Sequence, residues 1–125
     1  MYIFVNKSLG MTTGKLAAQA AHAAVEAFRI SNVEMLGKWY KGKLYKKLIM
    51  EARDDEHIRT IAAYLQQRNF KSVFIIDEGL NEVAPHSFTA LGVEIVDQDD
   101  THTRATFSSF NLYRDKVRVT LEIDK

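Results

Sequence analysis

Lys15, Gln19 and His22 are spaced i, i+4 and i+7, so on a helix they share one face. A cation, an amide and an imidazole projecting together from an alanine-rich stretch (Ala17, Ala18, Ala20, Ala21, Ala23, Ala24) are more than a core helix needs. A lysine beside the free N–H groups of a helix start favours an anion. A histidine in such a place is a candidate for proton transfer, although a helix histidine is more often simply hydrogen-bonded. Asp77 closes an apolar run and precedes Gly79. A carboxylate there can orient a lysine, activate a water, or cap the following loop through backbone N–H groups. A second set, Lys38, Lys41, Lys43, Lys46 and Lys47, has Trp39, Tyr40 and Tyr45 interleaved. Lysines neutralise phosphates while aromatic faces stack on unpaired bases. The same pattern also suits a solvated loop that Trp39 anchors to the core.

Other chemistries fail on spacing. A phosphate-binding loop reads G-x-x-x-x-G-K-[ST]. Here Gly10 and Gly14 stand one residue too close, and Leu16 occupies the position of the metal-binding hydroxyl. His22, His57, His86 and His102 show no metal-ligand spacing. With no cysteine in the chain, disulfide scaffolds and thiolate metal sites are excluded. No G-x-S-x-G elbow surrounds Ser87.

The elements that must position these residues follow from periodicity. The chain has 125 residues, 46% of them hydrophobic and 26% charged, which fits one globular domain, and its formal charge of +1 names no partner. No apolar run reaches the roughly 18 residues of a membrane span, and no leader peptide is visible, so a cytoplasmic location is expected. Tyr2, Ile3, Phe4 and Val5 read as a first strand, and Thr12 or Thr13 as the cap of a helix running from Gly14 to about Ile30. Residues 31–43 read as a connection and a basic loop, and 44–52 as a second strand. Ile58, Ile61, Ala62 and Leu65 give the stripe of a second helix that Asn69 ends. Residues 72–76 suit a strand buried on both faces, and 89–96 a fourth strand. The whole predicts a mixed, mostly parallel four-stranded α/β sheet with helices on both faces. The segments after the first and third strands should meet at its carboxyl edge. Beyond it, 97–104 reads as a polar linker, and 106–113 with 116–123 as a C-terminal β-hairpin extension.

Taken together, the motifs resemble the archaeal/eukaryotic-type peptidyl-tRNA hydrolase family. Met11-Thr-Thr-Gly-Lys15 and Ala17-Ala-Gln-Ala-Ala-His-Ala23 match its first signature, and Trp39 precedes a lysine-rich strand as it does there. The 77–89 segment, Asp-Glu-Gly-Leu-Asn-Glu-Val-Ala-Pro-His-Ser-Phe-Thr, follows its second signature, so the resemblance covers about residues 1–96. It implies hydrolysis of the ester joining a peptide to the terminal ribose of tRNA, by water and without metal or organic cofactor. By position it implies catalytic roles for Lys15, Asp77, Thr89 and His22, and substrate contacts from Gln19, Asn81 and Ser87. The acceptor end of the tRNA would lie on Lys38, Trp39, Lys41, Lys43 and Lys46. Leu80 and Asn81 stand where the family carries arginine and threonine, and His86 where it carries glycine. These departures support a second reading, a homologue whose cleft binds tRNA, another RNA or a protein partner without cleaving. In that reading the 106–123 hairpin supplies an edge for a homodimer.

Overall fold

The computed structural model describes residues 1–42, 46–77 and 87–114. Strand β1 (Tyr2–Asn6) is buried along its whole length. A single 3₁₀ turn (Lys7–Leu9) leads to α1 (Thr13–Ile30) and α2 (Val33–Lys41). Then come β2 (Leu48–Ala52), α3 (Asp55–Gln67), β3 (Ser72–Ile76), β4 (Phe88–Val93) and α4 (Thr101–Phe107). The strands form one four-stranded sheet in the order β2-β1-β4-β3.

The sheet is sandwiched because the side chains of β1 alternate between two cores. Tyr2 and Phe4 point toward α3 and α4, where they meet Ile58, Ile61, Leu65 and Phe107. Met1, Ile3 and Val5 point toward α1 and α2, where they meet Ala23, Ala27 and the partly buried Met35, Leu36 and Trp39. Helices therefore cover both faces, as the sequence predicts. No helix among the described residues is long and apolar enough to cross a membrane.

Strand direction departs from expectation. β1 and β2 run parallel, but β4 is antiparallel to both β1 and β3. A parallel connection needs a crossover of a dozen residues or more, usually a helix. Residues 77–87 are too few for that, so the chain turns back on itself. β4 then lies between β1 and β3, which leaves β3 at the sheet edge rather than buried on both faces. Phe74 and Ile76 are accordingly 40% and 48% exposed.

Two segments read as loops are helices. In α2 the Asn32 side chain caps by accepting from the Glu34 N–H at 2.8 Å. Glu34 in the first turn and Lys38 and Lys41 in the last suit the helix dipole. Gly37 and the lysines disguised this short helix, and they also made β2 look longer than it is. Residues 97–104 are not a free linker. Asp100 caps α4 by accepting from Thr103 N–H (3.0 Å) and Thr103 Oγ1–H (3.1 Å). Thr106 and Phe107 are helical, not the start of a hairpin strand, and the Phe107 ring stacks on Tyr2 at 4.0 Å. Residues 111–113 then pair along the outer edge of β2 (Glu51 N–H to Asn111 O, 2.9 Å; Tyr113 N–H to Ile49 O, 2.8 Å). The proposed return strand, 116–123, lies outside the described residues.

α1 packs unusually close to β4. A Cβ placed on Gly92 would lie 2.5 Å from the Ala23 carbonyl oxygen. Gly92→Ala should therefore lower stability by about 1–3 kcal/mol, the usual cost of overpacking. Gly37 has open space around its Cα, so Gly37→Ala in α2 should raise stability by up to about 1 kcal/mol. Urea unfolding of the two variants against the parent chain checks both signs.

Candidate active site

β1 and β3 run in the same direction, so their carboxyl ends and the start of β4 lie along one edge of the sheet. After β1 the chain turns at Gly10, whose φ of 58° is in the left-handed region that glycine adopts without strain. Thr12 then caps α1, its Oγ1 accepting from Lys15 N–H at 3.3 Å. This turn places Lys15 at the mouth of the edge. Asp77 immediately follows β3, and its backbone N–H donates to Ser87 O at 3.0 Å, which ties the end of β3 to the start of β4.

The two residues meet. Lys15 Nζ lies 2.7 Å from Asp77 Oδ1, and the side chains are only 11% and 7% exposed. At such burial the interaction is far less screened than on a surface. The pair thus brings a carboxylate and an ammonium group together at the carboxyl edge of the sheet.

One turn further along α1, Gln19 and Thr89 are both buried. Thr89 Oγ1 donates to Gln19 Oε1 at 2.6 Å and also lies 3.3 Å from Ile75 O. Thr89 is fully buried, so in this structure its hydroxyl engages Gln19 rather than a substrate. His22 does not join them. It is exposed and makes no hydrogen bond to a described residue. The helix contacts β4 along the i+4 row Gln19, Ala23, Ala27, which drifts about 40° per step, while His22 drifts the other way. The shared face inferred from spacing is real for Lys15 and Gln19 and fails for His22.

Sequence reasoning passed over Asn6. Its side chain is buried and donates from Nδ2 to Asp55 Oδ1 and to Phe88 O, both at 2.8 Å. Its Oδ1 accepts from Ser8 N–H (2.9 Å) and Ser8 Oγ–H (2.7 Å). One amide thus fixes the turn after β1, the start of α3 and the start of β4. The available signal was an asparagine ending an apolar strand two residues before a serine, the pattern of an Asx turn.

The lysine set divides. Lys38 and Lys41 are exposed in the last turn of α2. Trp39 packs against the α1-side core and edge-to-face with Phe28 (6.4 Å) and Tyr40 (5.8 Å), with Lys47 over its ring at 5.1 Å. It is an anchor more than an open stacking platform. Lys46 O accepts from the Met1 amine at 3.0 Å, so Lys46 sits at the opposite end of β1 from the Lys15–Asp77 pair. Five residues of strand span about 16 Å. Lys43 and Asn81 lie outside the described residues.

The Thr89–Gln19 bond gives a stability prediction. Thr89→Val should cost about 1–3 kcal/mol by leaving the Gln19 amide oxygen unpaired in the interior. Adding Gln19→Leu should cost less than the two single changes together. A double-mutant cycle in denaturant measures the coupling, and additive losses would deny it.

Comparison with known proteins identifies the family. The profile of the family described as "Peptidyl-tRNA hydrolase PTH2" matches residues 1–110, so the resemblance runs past Val96 and through α4. The human "Peptidyl-tRNA hydrolase 2, mitochondrial" is 36% identical over 97 residues, which cover 74% of this chain and 53% of that protein. The "Peptidyl-tRNA hydrolase" of Staphylothermus marinus is 32% identical over 95 residues (73% of this chain, 77% of that protein). That of Thermococcus onnurineus is 29% identical over 108 residues (80% and 91%). The matched region spans about half the length of the human and bovine relatives. With one profile covering nearly all the described elements, this chain belongs to the peptidyl-tRNA hydrolase PTH2 family.

Proposed function

We propose that this chain hydrolyses the ester between a peptide and the terminal ribose of tRNA, with water as the nucleophile. The observation that carries the reading is the buried Lys15–Asp77 pair at the carboxyl edge of the sheet in a member of this family. The Asp77 carboxylate holds a water and draws on its proton as the water oxygen attacks the ester carbonyl. Lys15 donates to the oxyanion that develops there. The carbon–oxygen bond to the ribose then breaks. The peptide leaves as a carboxylate, one proton of the water ends on the ribose oxygen, and the other passes to solvent.

The remaining residues take places that suit their surroundings. Thr89 is a positioning residue that ties β4 to α1 through Gln19, one turn beyond Lys15. Ser87, with Asn81, contacts the substrate as the family motif implies. His22 is exposed on α1 and off the Lys15–Gln19 face, so no step is assigned to it. Lys46 lies at the other end of β1, too far to hold the reacting nucleotide, and Lys38 and Lys41 are exposed in the last turn of α2. They neutralise phosphates further down the acceptor arm, with Trp39 keeping α2 in place and Lys43 joining them.

Two experiments test the proposal. With an N-blocked peptidyl-tRNA, the parent chain should release peptide, and Lys15→Ala and Asp77→Ala should each lower kcat/KM by about 10²- to 10³-fold. No release by the parent chain at stoichiometric enzyme would sink the activity, and full rates in both variants would sink the site. Replacing Lys38, Lys41 and Lys46 by alanine should raise KM with little change in kcat. The log–log salt dependence should also flatten, by up to about one unit of slope per lost phosphate contact. An unchanged slope would make these lysines bystanders.

A further inference from the structure

His57 belongs to none of the machinery above, yet its ring is held in a defined way. The Arg53 backbone N–H donates to His57 Nδ1 at 2.9 Å. A ring nitrogen that accepts carries no proton, so the neutral imidazole must carry its proton on Nε2. That N–H has no hydrogen-bond partner among the described residues. Burial, with the Arg53 charge second, pushes His57 below the usual histidine range, which keeps it a neutral donor near neutral pH.

His57 lies where two cavities adjoin. One, of about 400 Å³, is polar and lined by Glu51, Arg53, His57, Ser109 and Asn111. The other, of about 250 Å³, is lined by Ile61 and Tyr64 and shares His57, Ser109 and Phe110 with the first. Together they make one cleft with a charged end and an apolar end, between the edge of β2, the first turns of α3 and the 109–111 segment.

The charges in the polar end are of both signs. Arg53, the His57 Nε2–H and the Asn111 amide can donate to a carboxylate. Glu51, held at 3.2 Å from Lys7 through Oε2, keeps its other oxygen for an ammonium group. A phosphate dianion would meet the Glu51 carboxylate and be repelled, whereas a zwitterion satisfies both ends. Tyr64 and Phe110 meet edge-to-face at 5.9 Å and offer the apolar end an aromatic wall.

We propose that this cleft is a binding site for a free α-amino acid with an apolar or aromatic side chain, separate from the Lys15–Asp77 site. Its carboxylate lies at Arg53 and His57, its ammonium at Glu51, and its side chain between Ile61, Tyr64 and Phe110. The two sites share the carboxyl edge of the sheet, since Ala52 at the end of β2 pairs in register with Asn6 at the end of β1.

The test is an amide NMR titration of the full chain with L-phenylalanine, L-leucine, phenylalaninamide, N-acetyl-phenylalanine and AMP. L-Phenylalanine and L-leucine should give saturable shifts at Arg53, His57, Ser109 and Asn111, and either blocked compound should bind about ten-fold more weakly or worse. Arg53→Gln should weaken L-phenylalanine about ten-fold or more while leaving the thermal midpoint unchanged. Glu51→Gln should weaken L-phenylalanine but leave N-acetyl-phenylalanine as it was, a pattern that mere structural damage would not give. The proposal is overturned by an absence of saturable shifts up to about 10 mM, a concentration well above the 1 mM scale of about 4 kcal/mol binding. It is equally overturned if Arg53→Gln has no effect, or if AMP binds more tightly than L-phenylalanine.

Discussion

The approach of α1 to β4 is set by the absence of a single carbon atom, the Cβ that Gly92 lacks. With the Ala23 carbonyl only 2.5 Å from where that atom would stand, the helix rests almost directly on the strand backbone. Alanines at 23 and 27 keep the interface thin, and both are fully buried. Each earlier step of four residues moves about 6 Å back along the helix axis. One step reaches Gln19 at Thr89, and a second reaches Lys15 at Asp77. A larger residue at the contact would lift the helix, and the outer two interactions, which span side chains to another element, would lengthen with it.

The Lys15–Asp77 pair is a poor device for stability. Removing two charges from water costs several kcal/mol per ion, and their attraction repays that only when geometry and further hydrogen bonds are favourable. Neither partner here is deep in the core. Both lie at the carboxyl edge of the sheet, with side chains nearly but not fully buried. That near-burial of opposite charges sets the pair apart from surface ion pairs such as Arg104–Asp99, with side chains 67% and 93% exposed. Functional sites are where such arrangements concentrate, although structural networks produce them too.

Much of this was legible in the residues, and the failures have physical causes. The spacing of Lys15 and Gln19 gave their common face, and the polarity of β1 and β3 gave the meeting of Lys15 with Asp77. Burial could not be read so directly. Thr89 and His22 look equally available in the sequence, but one is sealed beneath α1 and the other stands in solvent, because the packed row follows i+4 steps. The direction of β4 depends on how short its connection is, which hydrophobic pattern does not encode. α2 and α4 are short helices whose caps, Asn32 and Asp100, sit in polar stretches that resemble linkers. Lys46 is close to Trp39 in sequence and hence reads as one patch with it, but the length of β1 separates it from the Lys15–Asp77 pair.

What makes the edge of the sheet suitable for chemistry is that its groups are fixed independently. Thr12 caps the helix that carries Lys15, and Asp77 is pinned through its own N–H to Ser87. Asn6 ties the turn between them to α3 and β4 with four hydrogen bonds, so its amide has no freedom left to rotate. Donors held in place before the substrate arrives need little reorganisation as charge develops, and this is the main source of electrostatic catalysis. The same reasoning gives Asn6 a structural part in holding the turn that leads from β1 toward Lys15. A β-branched residue would suit the strand better. The strand ends in asparagine because the turn that follows must be held, and the buried amide satisfies every group that turn presents to it.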